Sequence, residues 1–285
     1  LAEKPLPQWI AGNRGEIAYF LGEIDESIRW SRLSDSKFWK TIADRLENPE
    51  FAQRNSVTLP VGFVRQHHAT CAPATLSALS RFWGMPADHL QVADEICYNG
   101  TSSYSERKWA REHGWEAREF SVTEESAQAL IDRGIPFTFT TVDPGNSHLQ
   151  AVIGYDGRRG TLVIRDPYWR STGEALATQL LERYRATGPR GMAMAPANQA
   201  HLLDAVELPD VNLWNRLHAI DEALIEHRRE DARREFATMS AEAPDHRLVS
   251  EARRRLAIYD GNADEQLAAV EQLAREFPED QRLEL

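Results

Sequence analysis

The chain has 285 residues, 42% hydrophobic and 27% charged, a balance that allows a soluble globular protein with a core of normal size. Its net charge of −11 gives no overall electrostatic case for binding nucleic acid or an anionic membrane. No apolar run approaches the ~20 residues that span a bilayer, and no signal-peptide pattern is present.

Only two cysteines occur, Cys71 and Cys97, too few for a disulfide framework. A reducing, cytoplasmic setting is the simpler expectation. At roughly 100–200 residues per domain, the length suggests two or three domains. The chain begins on Leu1 and ends on QRLEL inside a helical pattern, so it reads as a piece of a longer protein.

Residues 1–55 read as a helical segment. Ile17, Phe20, Leu21, Ile24, Ile28 and Trp30 fall mostly at i, i+3, i+4 spacing and predict one buried stripe. Ser34 or Asp35 is placed to cap a second helix through Trp39, Ile42 and Leu46.

Residues 56–200 change character. An extended lead-in, TLPVGFV, precedes a helix from about Pro73 to Trp83, with Gly84 as its stop. Two more helices follow, 90–100 and 102–114, each ending at a glycine. The period then becomes two. Strands are predicted at 116–122, 136–142, 149–156 and 160–167, with a short helix over 123–134. Helices first and an antiparallel sheet second predict an α+β domain.

Residues 201–285 return to helices. EAPD at 242–245 recurs as EFPE at 276–279, with the two prolines 34 residues apart. A 34-residue helix-turn-helix period closing on proline is the tetratricopeptide signature. Ala232 and Phe236 fit its packing positions, and Val270 and Leu273 stand there in the second unit.

The chemistry concentrates around Cys71. A thiolate is the nucleophilic form, and a helix N-terminus favours that anion. The run TCAPATLSAL places Cys71 there, with Pro73 in the first turn, where its missing N–H costs nothing. A thiol nucleophile needs a base, and the base needs an orienting group. His148 and Asp166 stand at adjoining ends of the hairpin NSHLQAVIGYDGRRGTLVIRDP, so they should be neighbours. Gln66, five residues before Cys71, is placed to hold an oxyanion together with the Cys71 backbone N–H.

The ordered set Gln66, then Cys71-Ala-Pro-Ala-Thr, then His148-Leu-Gln-Ala-Val-Ile-Gly-Tyr-Asp, then Asp166-Pro resembles the papain-like cysteine peptidases. More narrowly it resembles peptidase family thirty-nine, whose founding members process bacteriocin leader peptides. The resemblance covers about residues 57–190. It departs from the family at Thr70 and Ala72, where an acidic residue and a glycine are common. It implies a papain-like fold and a cysteine peptidase with Cys71 as nucleophile, His148 as base, Asp166 as orienter and Gln66 in the oxyanion hole. His68, Ser147 and Trp169 are candidate substrate contacts.

The expected reaction is hydrolysis of a peptide or isopeptide bond, with a peptide or protein substrate and the flanking repeats recruiting it or another protein partner. Acyl transfer through the same thioester is the alternative, and a silent repeat scaffold is a third reading. No metal and no cofactor are expected: His67 and His68 are adjacent, and no second Cys/His cluster has ligand spacing.

Overall fold

A computed structural model describes residues 6–143, 145–280 and 283. The expectations for residues 1–5 and for QRLEL, apart from Leu283, lie outside the described residues.

The chain opens with three helices, α1 (Leu6–Phe20), α2 (Ile24–Leu33) and α3 (Lys37–Glu47). The single stripe predicted over 17–30 does not form. Gly22, at φ +79°, breaks the helix and turns the chain back, a conformation that glycine adopts without strain. The α1–α2 contact is made instead by small residues. Ala11, Ala18, Ser27 and Ser31 are buried, whereas Ile17, Phe20 and Leu21 are 60%, 67% and 68% exposed. A Cβ on Gly15 would lie 2.8 Å from Ser31 Oγ, so the close approach of the two helices depends on that glycine.

The central part runs β1 (Ser56–Thr58), α4 (Cys71–Phe82), α5 (His89–Ile96), α6 (Ser103–Glu112), β2 (Trp115–Ser121), α7 (Glu124–Asp132), β3 (Phe137–Asp143), β4 (Asn146–Asp156), β5 (Thr161–Arg165), β6 (Gly173–Leu176), α8 (Ala177–Arg183) and β7 (Arg190–Pro196). Its strands form one antiparallel sheet in the order β2-β7-β3-β4-β5-β6, and β1 pairs with the far end of β4. The four predicted strands are present within a few residues of their expected bounds.

Three elements were not anticipated: β6, α8 and β7. Strand β7 reads RGMAMAP and is buried along its whole length between β2 and β3. With both faces covered, it shows no polar alternation and no β-branched residue to mark it as a strand.

Each face of the sheet carries a core. Leu76, Leu79, Val92 and Trp109 of α4–α6 pack on Ala151, Ile153, Met192 and Met194. Leu130 and Ile131 of α7 pack on the alternate residues, among them Phe137, Val152, Leu162 and Ala193. The architecture is therefore helices on both sides of an antiparallel sheet.

A short helix α9 (His201–Asp204) leads to α10 (Val211–Ile225), α11 (Arg229–Glu242), α12 (Arg247–Tyr259) and α13 (Ala263–Glu276). Buried Ala232, Met239, Leu248 and Ala252 join α10–α12 in a third core. Helix α10 packs on β2 and α6. Arg107 donates to Asn215 at 2.6 Å and Trp214 Nε1 to Ser121 at 3.1 Å, which anchors these helices to the central sheet. Among the described residues no helix is long and apolar enough to cross a membrane.

Candidate active site

Cys71 is the first residue of α4, and the rest of that helix is driven into the core by Ala74, Leu76, Ala78 and Leu79. The entry to the helix is unusual. Thr70 occupies the N-cap position, yet its side chain does not cap. Its Oγ1 instead accepts the His67 N–H at 2.8 Å and shares a hydrogen bond with His89 Nε2 at 2.9 Å. The first-turn N–H groups of α4 therefore keep their outward donors and the positive end of the helix dipole for whatever occupies the space before them.

Ala69, just upstream, has φ +57°, a left-handed conformation uncommon for a residue with a Cβ. Its carbonyl accepts the Cys97 S–H at 3.2 Å. Cys97 thus acts on the backbone leading to Cys71, consistent with an ordinary structural role.

Strand β4 supplies the partner. Thr75, one turn after Cys71, donates its hydroxyl to the Leu149 carbonyl at 3.1 Å. The Leu149 N–H in turn hydrogen-bonds the Cys71 sulfur. These two links register α4 against β4, so the side chain of the preceding residue, His148, meets Cys71. His148 Nε2 lies 3.1 Å from Asp166 Oδ1, which also accepts the Tyr168 N–H at 2.7 Å. With Nε2 directed at Asp166, Nδ1 is the ring nitrogen left for sulfur. His148 and Asp166 are neighbours because β4 and β5 pair Ala151 with Arg165, which leaves Asp166 at the mouth of the hairpin.

The electrostatics favour an ion pair. Burial pushes the Cys71 thiol up, but hydrogen bonds from His148 and Leu149 and the attraction of the imidazolium outweigh it, and its pKa is lowered. Burial alone would pull His148 down. Hydrogen bonds and charge from Asp166 and Cys71 raise it instead to about 9. Asp166 is held below its usual range: burial opposes this, and His148 and the Tyr168 N–H overcome it. Both shifts run toward a thiolate beside an imidazolium.

A cavity of about 1160 Å³ opens in front of Cys71 and His148. Gln66, His68 and Ser147 also line it. Gln66 Oε1 is sealed from water without a hydrogen-bond partner. His68 and Ser147 are exposed. Trp169 does not reach this cavity. It is 62% exposed, packs edge-on against Tyr168, and borders a smaller groove shared with Gln66 and His68. Among the described residues no three His, Cys, Asp or Glu side chains are grouped to hold a metal ion.

A buried charge cluster beside the site had no sequence signal. Arg190 of β7 donates to Glu119 at 2.6 Å and to Glu106 at 2.7 Å, and Arg107 reaches Glu119 at 3.2 Å. Glu106 and Arg190 line the cavity. Arg190 is about seventy residues from Glu119 in sequence and meets it only through the β2–β7 pairing.

Residues 58–192 match the model of the Peptidase_C39 like family. Among solved structures, the peptidase domain of Streptococcus ComA, described as a bifunctional ABC transporter involved in a quorum-sensing pathway, is similar. It is 16% identical, with a TM-score of 0.38, over 48% of this chain and 98% of that one. No curated protein matches.

Proposed function

We propose that the protein is a cysteine peptidase that cleaves a peptide or isopeptide bond with Cys71, His148 and Asp166. The observation that carries this reading is the contact chain from the Cys71 sulfur through His148 to Asp166, with Cys71 and His148 lining an open cavity. The match of residues 58–192 to the Peptidase_C39 like family supports it.

In this reading the Cys71 thiolate attacks the carbonyl carbon of the scissile bond. The carbonyl π electrons move to oxygen, giving an oxyanion held by the Cys71 backbone N–H and the Gln66 amide. As the tetrahedral species collapses, the C–N bond breaks and the His148 imidazolium gives its proton to the leaving nitrogen. Neutral His148 then takes a proton from water, whose oxygen attacks the thioester carbon. Collapse of the second tetrahedral species breaks the C–S bond, releases the acid and restores the ion pair. Asp166 holds the ring orientation and stabilises its charged form.

His68 and Ser147 line the cleft, and Trp169 walls the neighbouring groove, as contacts for the substrate chain. We read residues 201–285 as tetratricopeptide-like hairpins that recruit the substrate or a protein partner. The 34-residue offset between the starts of α11 and α13 favours that reading.

The test is a brief, sub-stoichiometric iodoacetamide pulse at pH 6, read by mass spectrometry on the wild type and on His148→Ala. An ordinary thiol of pKa about 8.5 is almost wholly protonated at that pH. Selective alkylation of Cys71 over Cys97, lost in the variant, is the expected result. Equal labelling of the two cysteines would overturn the proposal.

A further inference from the structure

The cavity is not confined to the central sheet. Its far wall is built by the C-terminal helices, with Asp221 from α10 and Arg247, Glu251, Arg254 and Arg255 from α12. Substrate reaching Cys71 therefore shares one continuous space with the inner face of those helices. With Glu106 and Arg190 from the central sheet side, the lining holds four arginines and three carboxylates.

The arginines are not equivalent. Arg190 is neutralised by Glu106 and Glu119. Arg254 pairs with Glu251 at 2.9 Å. Arg255 pairs with Glu251 at 2.9 Å and with Asp221. Arg247 stands apart. It is 9% exposed, and among the described residues no carboxylate lies within ion-pairing distance of it. Its Nη2 is buried with no hydrogen-bond partner, and its guanidinium rests over the Trp214 ring at 5.2 Å. Burial pulls its pKa down to about 10, against the pull of Glu251 and Asp210.

A buried cation that no carboxylate contacts is costly. Every other arginine of this wall has its acid on the same chain.

We propose that Arg247 recognises a carboxylate of the substrate chain bound in the cavity, so that the enzyme selects an acidic side chain or a free C-terminus at that position. A guanidinium suits a carboxylate partner, and the Trp214 ring lies against this one. This rests on the peptidase reading for the word substrate, but the anion site itself does not depend on turnover.

The experiment measures binding of short fluorescein-labelled peptides to the Cys71→Ala protein by anisotropy. One probe alternates Gly and Glu and ends in an amide. A second alternates Gly and Ser and ends in a free carboxylate. Gly–Ser and Gly–Lys amides are the controls. The Glu peptide or the free-carboxylate peptide should bind at least about tenfold more tightly than the Gly–Ser amide, and which of them does so identifies the source of the carboxylate. Arg247→Gln should abolish that preference, and Arg247→Lys should keep part of it.

Thermal melting supplies the second readout. Arg247→Gln should melt at or above the parent, because it removes a buried charge that no described carboxylate meets at ion-pairing distance. No preference for either anionic probe, a preference that survives Arg247→Gln, or a variant that unfolds or melts lower would each overturn the proposal. Failure of the iodoacetamide test with anion binding intact would remove the peptidase reading and leave the anion site standing.

Discussion

The Gln66 N–H donates to the Pro167 carbonyl at 3.0 Å. This single backbone bond ties the segment before the nucleophile to the residue after Asp166. The group proposed to receive the oxyanion and the group that orients His148 are thereby held to one another across about a hundred residues of sequence.

Gln66→Ala should separate catalysis from thiol activation. The glutamine side chain is assigned to the developing oxyanion and does not touch the ion pair. Turnover of any substrate found should fall by about 10²–10³, the effect of removing one oxyanion donor. Iodoacetamide labelling of Cys71 at pH 6 should stay near the wild-type rate. A parallel loss of labelling would move Gln66 into the support of the thiolate.

Asp166→Asn should act on the ion pair. Without the carboxylate the pKa of His148 drops from about 9, and the imidazolium that favours the thiolate is lost at lower pH. A pKa lower by about one changes the ratio of protonated to neutral ring about tenfold. The ring stays protonated at pH 6 in either protein, so the effect falls between about pH 8 and 9, where the variant loses the imidazolium earlier and the pH profile of Cys71 labelling should change shape. Labelling that keeps its wild-type pH profile would exclude Asp166 from this role.

The same pair sets a pH dependence of stability. His148 is raised from 6.5 to about 9, so its contribution is fully present below pH 6.5 and is lost as pH rises through about 9. Asp166 is depressed below 3.8, so its contribution is present above that value and is lost as pH falls through its lower folded-state pKa. The melting-temperature advantage of the wild type over His148→Gln should be widest between about pH 4 and 6.5 and shrink toward pH 9. Melts recorded across that range check it; an advantage that grows with pH would contradict the assignment.

Arg190→Met should be the most damaging of these changes to the fold. Glu106 and Glu119 are 4% and 3% exposed, and Arg190 bridges them. Removing one partner of a buried pair costs about 3–5 kcal/mol, because the remaining charge is stranded. Urea denaturation should show a loss of that size. A loss below about 1 kcal/mol would mean that water reaches the two carboxylates.

The sequence was most informative where one strong local pattern coincided with one chemical need. The α4 run showed its helix, its proline and its cysteine together, and the alternation in β4 and β5 placed His148 beside Asp166. It was least informative where packing overrides pattern. The stripe of Ile17, Phe20 and Leu21 has helical spacing, yet the small residues opposite it allow a closer helix contact and leave the large side chains outside. Strand β7 has no alternation to read because neither of its faces meets water. Arg190 and Arg247 look like ordinary surface arginines until the tertiary fold buries them, so neither was singled out from sequence.

Strand β7 has a consequence for how the domain must be assembled. It lies between β2 and β3, so the central ladder cannot close until residues 190–196 arrive. Before then, β2 and β3 each present an open edge, the surface that recruits strands from other chains. A truncation ending before Arg190 should therefore self-associate, even though it retains Cys71, His148 and Asp166. Any portable form of this domain has to extend through Pro196, past the end of the family match at residue 192. The Gly191 position also resists substitution. An added Cβ would stand 2.7 Å from Val122 Cγ2 and 2.8 Å from the Phe120 ring, so the last strand to arrive fits its slot only without a side chain there.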